Sequence, residues 1–310
     1  MGNQIGKSIG LLLLCLVATE ANAARVIMDN LYSDDSDNAR QWRYYLGVDQ
    51  SVDKPLAGGI AGIRLGQWRL NDAVGKEQFD ALKLQYDTGP ARQWRSRVDI
   101  TQLSGDWSPT LGEVNISYKT PRPWYLEASV QRDIIDTVTA IRSRYRADTY
   151  SASVDYALTP ELTLVGALYT QSISDSNNRT GKVARIIYSL PQIEGLNVQG
   201  RVKWVDSDFR GIGYFSPRKL REYMALVGYT RSILAERWSA GALVGAGMQD
   251  IDSTDSNGLF YGEVKIKGWF SELLGLEAKA SCSNAGGLST GQGSANYRYC
   301  LGTLTLISVW

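Results

Sequence analysis

Along most of the chain, apolar and polar side chains alternate with a period of two, the pattern of a sheet with one apolar and one polar face. Trp94, Ser96, Val98 and Ile100 alternate with Arg95, Arg97, Asp99 and Thr101. Val114, Ile116 and Tyr118 stand against Glu113, Asn115, Ser117 and Lys119. Leu196, Val198, Gly200, Val202 and Trp204 stand against Asn197, Gln199, Arg201 and Lys203, and Val264, Ile266 and Gly268 against Glu263, Lys265 and Lys267. A soluble sandwich packs its apolar face on a second sheet, whereas a membrane barrel turns that face to lipid and lines a lumen with the polar one. Alternation does not choose between them; segment length does. The segments run at 40–52, 57–71, 77–88, 92–104, 110–119, 122–133, 143–158, 161–175, 180–191, 196–207, 219–233, 236–250, 257–271, 274–285 and 297–310. They match the roughly 9–11 residues of a tilted membrane strand and exceed the roughly 5–6 of an average soluble strand.

The connections alternate too. They are short at 88–91, 119–123, 159–161, 191–195, 234–237 and 270–275, and longer and polar at 174–181, 207–217 and 250–258. Short periplasmic turns and long external loops are the asymmetry of outer-membrane barrels. An odd number of segments would leave the N-terminus outside the cell, so residues 25–32, followed by the acidic loop 33–38, are expected to supply one more strand. The predicted fold is all-β, a transmembrane antiparallel up-and-down barrel of about 16 strands, with 14 or 18 also compatible because segment ends are the least defined part of the pattern. At the end of the chain Gly302, Leu304, Leu306 and Trp310 share one face, interrupted by Ser308, which looks like the terminal-strand signature read by the outer-membrane assembly machinery.

The N-terminus supports export. Lys7 precedes an apolar run at 9–18 that closes on Ala21-Asn22-Ala23, so 1–23 reads as a signal peptide cut after Ala23 and 24–310 as one barrel domain of the bacterial outer membrane. The run is too short for a permanent membrane helix. Leu14 stands before Cys15 where a lipobox wants a small residue, so no lipid anchor is expected.

Composition changes the picture in three ways. The balance of 33 basic and 32 acidic residues leaves no basic patch for nucleic acid. Tyr (17) and Trp (9) far outnumber Phe (5), which suits aromatic strands and interfacial girdles, and Trp42, Trp68, Trp107, Trp124 and Trp238, near predicted strand ends, read as girdle residues. There is no histidine, so neither a Ser-His-Asp constellation nor the commonest metal ligand is available. No catalytic residue, metal or cofactor is expected, and the chain is not expected to be an enzyme.

Two cysteines remain after the leader, Cys282 and Cys300, equally far from Gly291. If the last hairpin pairs symmetrically about that glycine they face one another, and an exported chain permits a disulfide. Opposed strand positions are not ideally spaced for one, so two small apolar residues on the lipid face is the other reading.

The residues that alternation turns inward are Arg95, Arg97, Asp99, Glu113, Lys119, Tyr125, Glu127, Asp155, Arg201, Lys203, Tyr261, Glu263, Lys265, Lys267 and Trp269. Charges of both signs mixed with aromatics hold water, bond sugar hydroxyls and stack on pyranose faces. A pore selective for one ion sign would show a ring of like charge. The other reading is that the charges pair across strands and fill the lumen.

Three short segments carry a further signal. Gly213-Tyr214-Phe215-Ser216-Pro217 leads into a strand, with Pro217 ending the loop because proline cannot donate to a ladder. Ser174-Asp175-Ser176-Asn177-Asn178-Arg179 follows a Tyr-containing strand, and Thr137-Val138-Thr139-Ala140-Ile141 lies earlier. Together these resemble the C-terminal barrels of exopolysaccharide secretion proteins, the poly-N-acetylglucosamine porin and the cellulose-secretion subunit, over residues 130–310. The family loop has Asp-Gly-Asn where this chain has Asp175-Ser176-Asn177, and the family's helical-repeat region is missing. The resemblance implies an outer-membrane pore exporting an exopolysaccharide, embedded in lipid and served by a separate periplasmic scaffold protein. A general or substrate-specific diffusion porin and a non-transporting structural barrel are the alternatives. The Pro-Glu-Phe-Gly-Gly type constriction motif of trimeric porins does not occur in the chain.

Overall fold

The computed structural model describes residues 24–309 apart from 36–38, 53–58, 90–91, 122, 235, 253–255 and 286–297. The expected signal peptide, Gly291 and Trp310 lie outside the described residues. The elements are β1 (Ala24–Asp35), β2 (Arg40–Val52), β3 (Gly59–Asp72), β4 (Gly75–Asp87), β5 (Trp94–Ser104), β6 (Thr110–Lys119), β7 (Trp124–Ile134), α1 (Val138–Arg142) and β8 (Arg146–Ala157). They continue with β9 (Leu162–Ile173), β10 (Asn178–Ser189), β11 (Leu196–Ser207), β12 (Lys219–Ile233), β13 (Trp238–Ile251), β14 (Asn257–Trp269), β15 (Leu274–Ser283) and β16 (Tyr299–Val309). Every strand is antiparallel to its sequence neighbours, and β1 pairs with β16 from Arg25↔Val309 to Asp35↔Tyr299, closing the barrel without an edge. The sixteen-strand expectation is met.

Burial runs opposite to that of a soluble protein. Inward-facing charges are sequestered, with Glu222 only 3% and Arg64 only 6% exposed, while the outward-facing Leu168 and Val244 are each 59% exposed. A water-soluble chain would lose stability by presenting such a surface; a lipid-facing wall requires it, and a closed ladder satisfies every strand amide within the hydrocarbon layer.

The rim that carries Ala24 and Val309 is called here the near rim, and the opposite one the far rim. At the near rim Trp94 stacks on Tyr118 (4.3 Å) and Trp124 on Tyr156 (4.4 Å), and Trp238 meets Phe270 edge-on at 4.8 Å. At the far rim Tyr32, Trp42 and Tyr150 are exposed. Two of the five tryptophans read as girdle residues are not. Trp68 is buried inside the barrel, donating to the Tyr45 hydroxyl at 2.6 Å, and Trp107 packs against the same buried cluster. Trp68 sits at an inward register position of β3, which proximity to a strand end does not reveal.

The far-rim connection at 208–218 is long, as expected, and 135–145 is long as well, but 73–74 is a two-residue turn and the predicted 174–181 loop shrinks to 174–177 because β10 begins at Asn178. The short helix α1 within 135–145 was not anticipated by a period-two pattern. Cys282 and Cys300 are direct partners across β15 and β16, with Cα atoms 4.1 Å apart, and their sulfurs are bonded.

Candidate functional site

All the predicted lumen residues occupy inward register positions, and they fall into three groups. Arg95, Arg97, Asp99 and Glu113 line a cavity of about 670 Å³ along the β1–β7 side of the lumen. Its charges are matched closely. Arg95 donates from Nε to Asp87 at 3.0 Å, Arg97 and Lys83 reach Asp99 at 2.9 and 3.0 Å, and Arg64 contacts Asp29 and, at 3.3 Å, Asp49. Removing one partner of such a pair would strand the other in a poorly solvated wall, so these pairs hold the register of the strands that carry them. Lys83, Asp87, Arg64, Asp29 and Asp49 obey the same alternation and could have been read from it.

Lys119, Tyr125, Glu127 and Asp155 form the second group on β6–β8. Glu127 accepts from Tyr125 and Asn115, each at 2.8 Å. On β11–β15 the third group is a network. Lys203 and Arg201 share Glu222 at 3.2 and 3.8 Å, the Arg201 guanidinium lies 5.7 Å from the Tyr261 ring, and Glu263 accepts from Tyr261 at 2.5 Å and pairs with Lys279 at 2.9 Å. β11 and β14 are not neighbours, so the Arg201–Tyr261 approach crosses lumen space. Lys265, Lys267 and Trp269 lie toward the near rim and are exposed, with Lys267 paired to Glu277 at 3.1 Å. Among the described residues no group of three or more Asp, Glu or Cys is placed to hold a metal.

The far mouth is crossed by a strap. Residues 135–145 turn α1 inward, burying Val138 and Ile141 against Trp68, Leu70, Phe79, Leu103 and Leu111, with Ala140 also buried. Polar contacts fasten it. Thr137 caps α1, accepting from Ala140 N at 3.1 Å, and its hydroxyl donates to the Gly213 carbonyl at 2.6 Å. Asp72 accepts from Val138 N at 3.0 Å, and Arg142 reaches Glu77 at 2.8 Å. From the barrel wall Arg43 donates from Nη2 to both carboxylate oxygens of Asp136, at 2.8 and 2.7 Å, while stacking 3.6 Å over Trp68. The 208–218 loop completes the crossing from the other wall. Tyr214 packs with Ala147 and Ile173, and Phe215 with Val205 and Leu220.

The Tyr-Phe-Ser-Pro segment therefore does more than end a loop. Asn177, fully buried, donates to the Phe209 carbonyl at 3.0 Å and to the Tyr214 and Ser216 hydroxyls, each at 3.1 Å, and accepts from Phe209 N at 3.3 Å. Tyr214 donates to Asp175 at 2.6 Å, and Arg179 donates to the Phe215 carbonyl at 2.6 Å. Gly213 is left-handed (φ 79°), and a Cβ there would lie 2.5 Å from the Thr139 methyl. All three segments singled out in the sequence thus meet in one lock.

Two predictions arise at the lock. Ser176 holds φ 74°, a left-handed position that suits glycine and disfavours a side chain. Ser176→Gly, which creates an Asp-Gly-Asn string, is expected to raise stability by about 1 kcal/mol, measured by urea unfolding in detergent micelles; an unchanged or lower midpoint would remove the argument. Burial, with the bond to Asp175 adding to it, pushes the Tyr214 phenol above its ordinary value of 10.0. The folded chain then keeps this proton longer than the unfolded one, so the contribution of the lock is complete below pH about 10 and falls as pH rises past it. The urea midpoint of the native chain should drop between pH about 8 and about 11 more than that of Tyr214→Phe; lysine titration is common to both and cancels. Parallel curves would refute it.

No protein-family model and no curated protein matches this chain. Solved structures do. One described as a bacterial polysaccharide outer membrane secretin aligns over 93% of this chain and 99% of its own, with TM-score 0.72 and 9% identity. Pseudomonas aeruginosa OprD (TM-score 0.48, 10% identity, 93% and 95% coverage) and Acinetobacter baumannii OccAB3 (0.46, 9%, 93% and 99%) superpose less well. At these identities the first likeness establishes a shared barrel fold.

Proposed function

We propose that this chain is an outer-membrane pore through which a bacterial exopolysaccharide leaves the cell, delivered by a separate periplasmic scaffold protein. The observation that carries the reading is the convergence of Thr137–Ile141, Asp175–Asn177 and Tyr214–Pro217, the segments that resemble exopolysaccharide secretion barrels, in one hydrogen-bonded strap over a wet lumen. The inverted burial supports a lipid-embedded cylinder, with the longer far-rim loops on the cell exterior. Tyrosines and mixed charges along the wall offer a sugar chain hydroxyl partners and ring faces without holding it at a single site. The likeness to a structure described as a polysaccharide secretin adds support at the level of architecture.

Deleting the gene in its own host should abolish surface polysaccharide while leaving intracellular synthesis intact, read by quantifying polymer outside and inside the cell. Unchanged amount and location would overturn the reading. The ion-paired cavity near β1–β7 is polar and wide enough to hold small solutes, which favours a second reading as a diffusion porin whose strap opens. Large, steady currents in trimeric steps across planar bilayers would support that reading instead.

A further inference from the structure

Beneath the 208–218 loop a second cavity, of about 230 Å³, spans the lumen from β9–β12 to β15–β16. Tyr169, Arg179, Lys203, Phe215, Glu222 and Tyr299 line it. Its charge is not matched as that of the first cavity is. Of the inward-facing cations of β10 and β11, Arg179 and Lys203 line it, and among the described residues Glu222, paired with Lys203 and shared with the neighbouring Arg201, is the one carboxylate in its lining. Arg179 bonds a backbone carbonyl and has no carboxylate within 4 Å among the described residues. The Arg179 Nε is buried without a partner among the described residues, as are those of Arg43, Arg64 and Arg97 around the first cavity, so the contrast between the two cavities lies in their carboxylates. A guanidinium without a carboxylate, beside a lysine whose own carboxylate is shared, calls for an anion, and a carboxylate supplies the matching geometry.

The same cavity has aromatic walls. The Tyr169 ring lies directly against Gly181, where a Cβ would fall 1.9 Å from a ring carbon, and Tyr299 and Phe215 stand on other sides. Two tyrosines and a phenylalanine beside Arg179 and Lys203 form a pocket for a pyranose bearing an acidic group, because the apolar sugar face stacks while the carboxylate pairs with the cations.

We propose that this cavity is a binding subsite for an acidic sugar residue, so that the polymer which passes is polyanionic. This rests on the polysaccharide-pore reading and narrows it. The expectation departs from what the glucosamine and cellulose resemblance would imply, and it comes from the charge of this wall.

The test uses the full chain in detergent micelles, titrated calorimetrically with a galacturonate hexamer, the neutral cellulose hexamer, monomeric galacturonate and inorganic phosphate. The acidic hexamer should bind at least about tenfold more tightly than the neutral one, weaken with added salt, and lose at least about tenfold in Arg179→Gln and in Lys203→Gln. Each variant is first checked for the heat-modifiable gel migration of a folded barrel; should Arg179→Gln not fold, Lys203→Gln carries the test. Equal or tighter binding of the neutral hexamer would overturn the acidic subsite and leave a saccharide pore standing. Binding of phosphate or the monomer as tight as that of the hexamer would make this a small-anion site and overturn the inference. No binding by any probe would overturn it too, while the gene deletion decides the wider reading separately.

Discussion

Replacing residues 136–144 by a short Gly-Ser linker should turn a barrel of low conductance into one that passes a steady current at least roughly tenfold larger, because the strap places an apolar helix face across the far mouth and apolar constrictions exclude water. The segment removed carries Val138, Ala140 and Ile141, the Thr137 bond to Gly213 and the Asp136 carboxylate that anchors Arg43. The barrel itself should survive, since the β7–β8 ladder runs from Trp124↔Tyr156 to Ile134↔Arg146 without help from the loop. A milder variant, Asp136→Ala, leaves the Arg43 guanidinium, already largely enclosed, with only the more distant Asp133 at 4.0 Å. It should produce flickering openings rather than a fixed open state, since a buried cation that loses its nearest partner favours conformations that rehydrate it. Planar-bilayer recording of the native chain and both variants measures this, and identical currents in all three would mean that the strap does not limit passage.

Asn177→Ala should lower stability by about 2–4 kcal/mol, the largest single-residue loss expected at the far rim. One amide here satisfies four groups at once: the Phe209 N–H and carbonyl, and the Tyr214 and Ser216 hydroxyls. Alanine leaves them facing one another in a site closed to water, and the cost of unpaired buried polar groups exceeds the net worth of any one bond. Asn177→Asp should also destabilise, because it removes the donors and adds a charge beside Asp175. Urea midpoints report the loss, and proteolysis of the 208–218 loop should accelerate while the strand ladder stays protected. A loss below about 0.5 kcal/mol would mean that water replaces the amide, and the lock would not be what holds the loop.

Most of the barrel was legible in the sequence, and so was much of its lining. The strand boundaries at 110–119, 196–207 and 219–233 coincide with those of β6, β11 and β12, and the inward positions of Arg95, Arg201 and Lys203 follow from parity alone. The equal distance of Cys282 and Cys300 from Gly291 likewise anticipated their register. Trp68 and Trp107 show where this reasoning stopped. Nearness to a strand end suggested a lipid interface, but the register of β3 turned Trp68 inward, where Arg43 and α1 cover it.

What the sequence determined by itself is the cylinder, because side-chain direction in a strand depends only on parity and a hairpin joins neighbours. The strap, the lock and the unequal distribution of lumen charge were decided by tertiary structure. Thr137 meets Gly213 across 76 positions, Arg43 meets Asp136 across 93, and Asn177 meets Tyr214 across 37. No local period encodes such distances. They arise only once the closed ladder brings opposite walls within reach of one another, and burial then makes each unpaired donor costly enough to fix its partner.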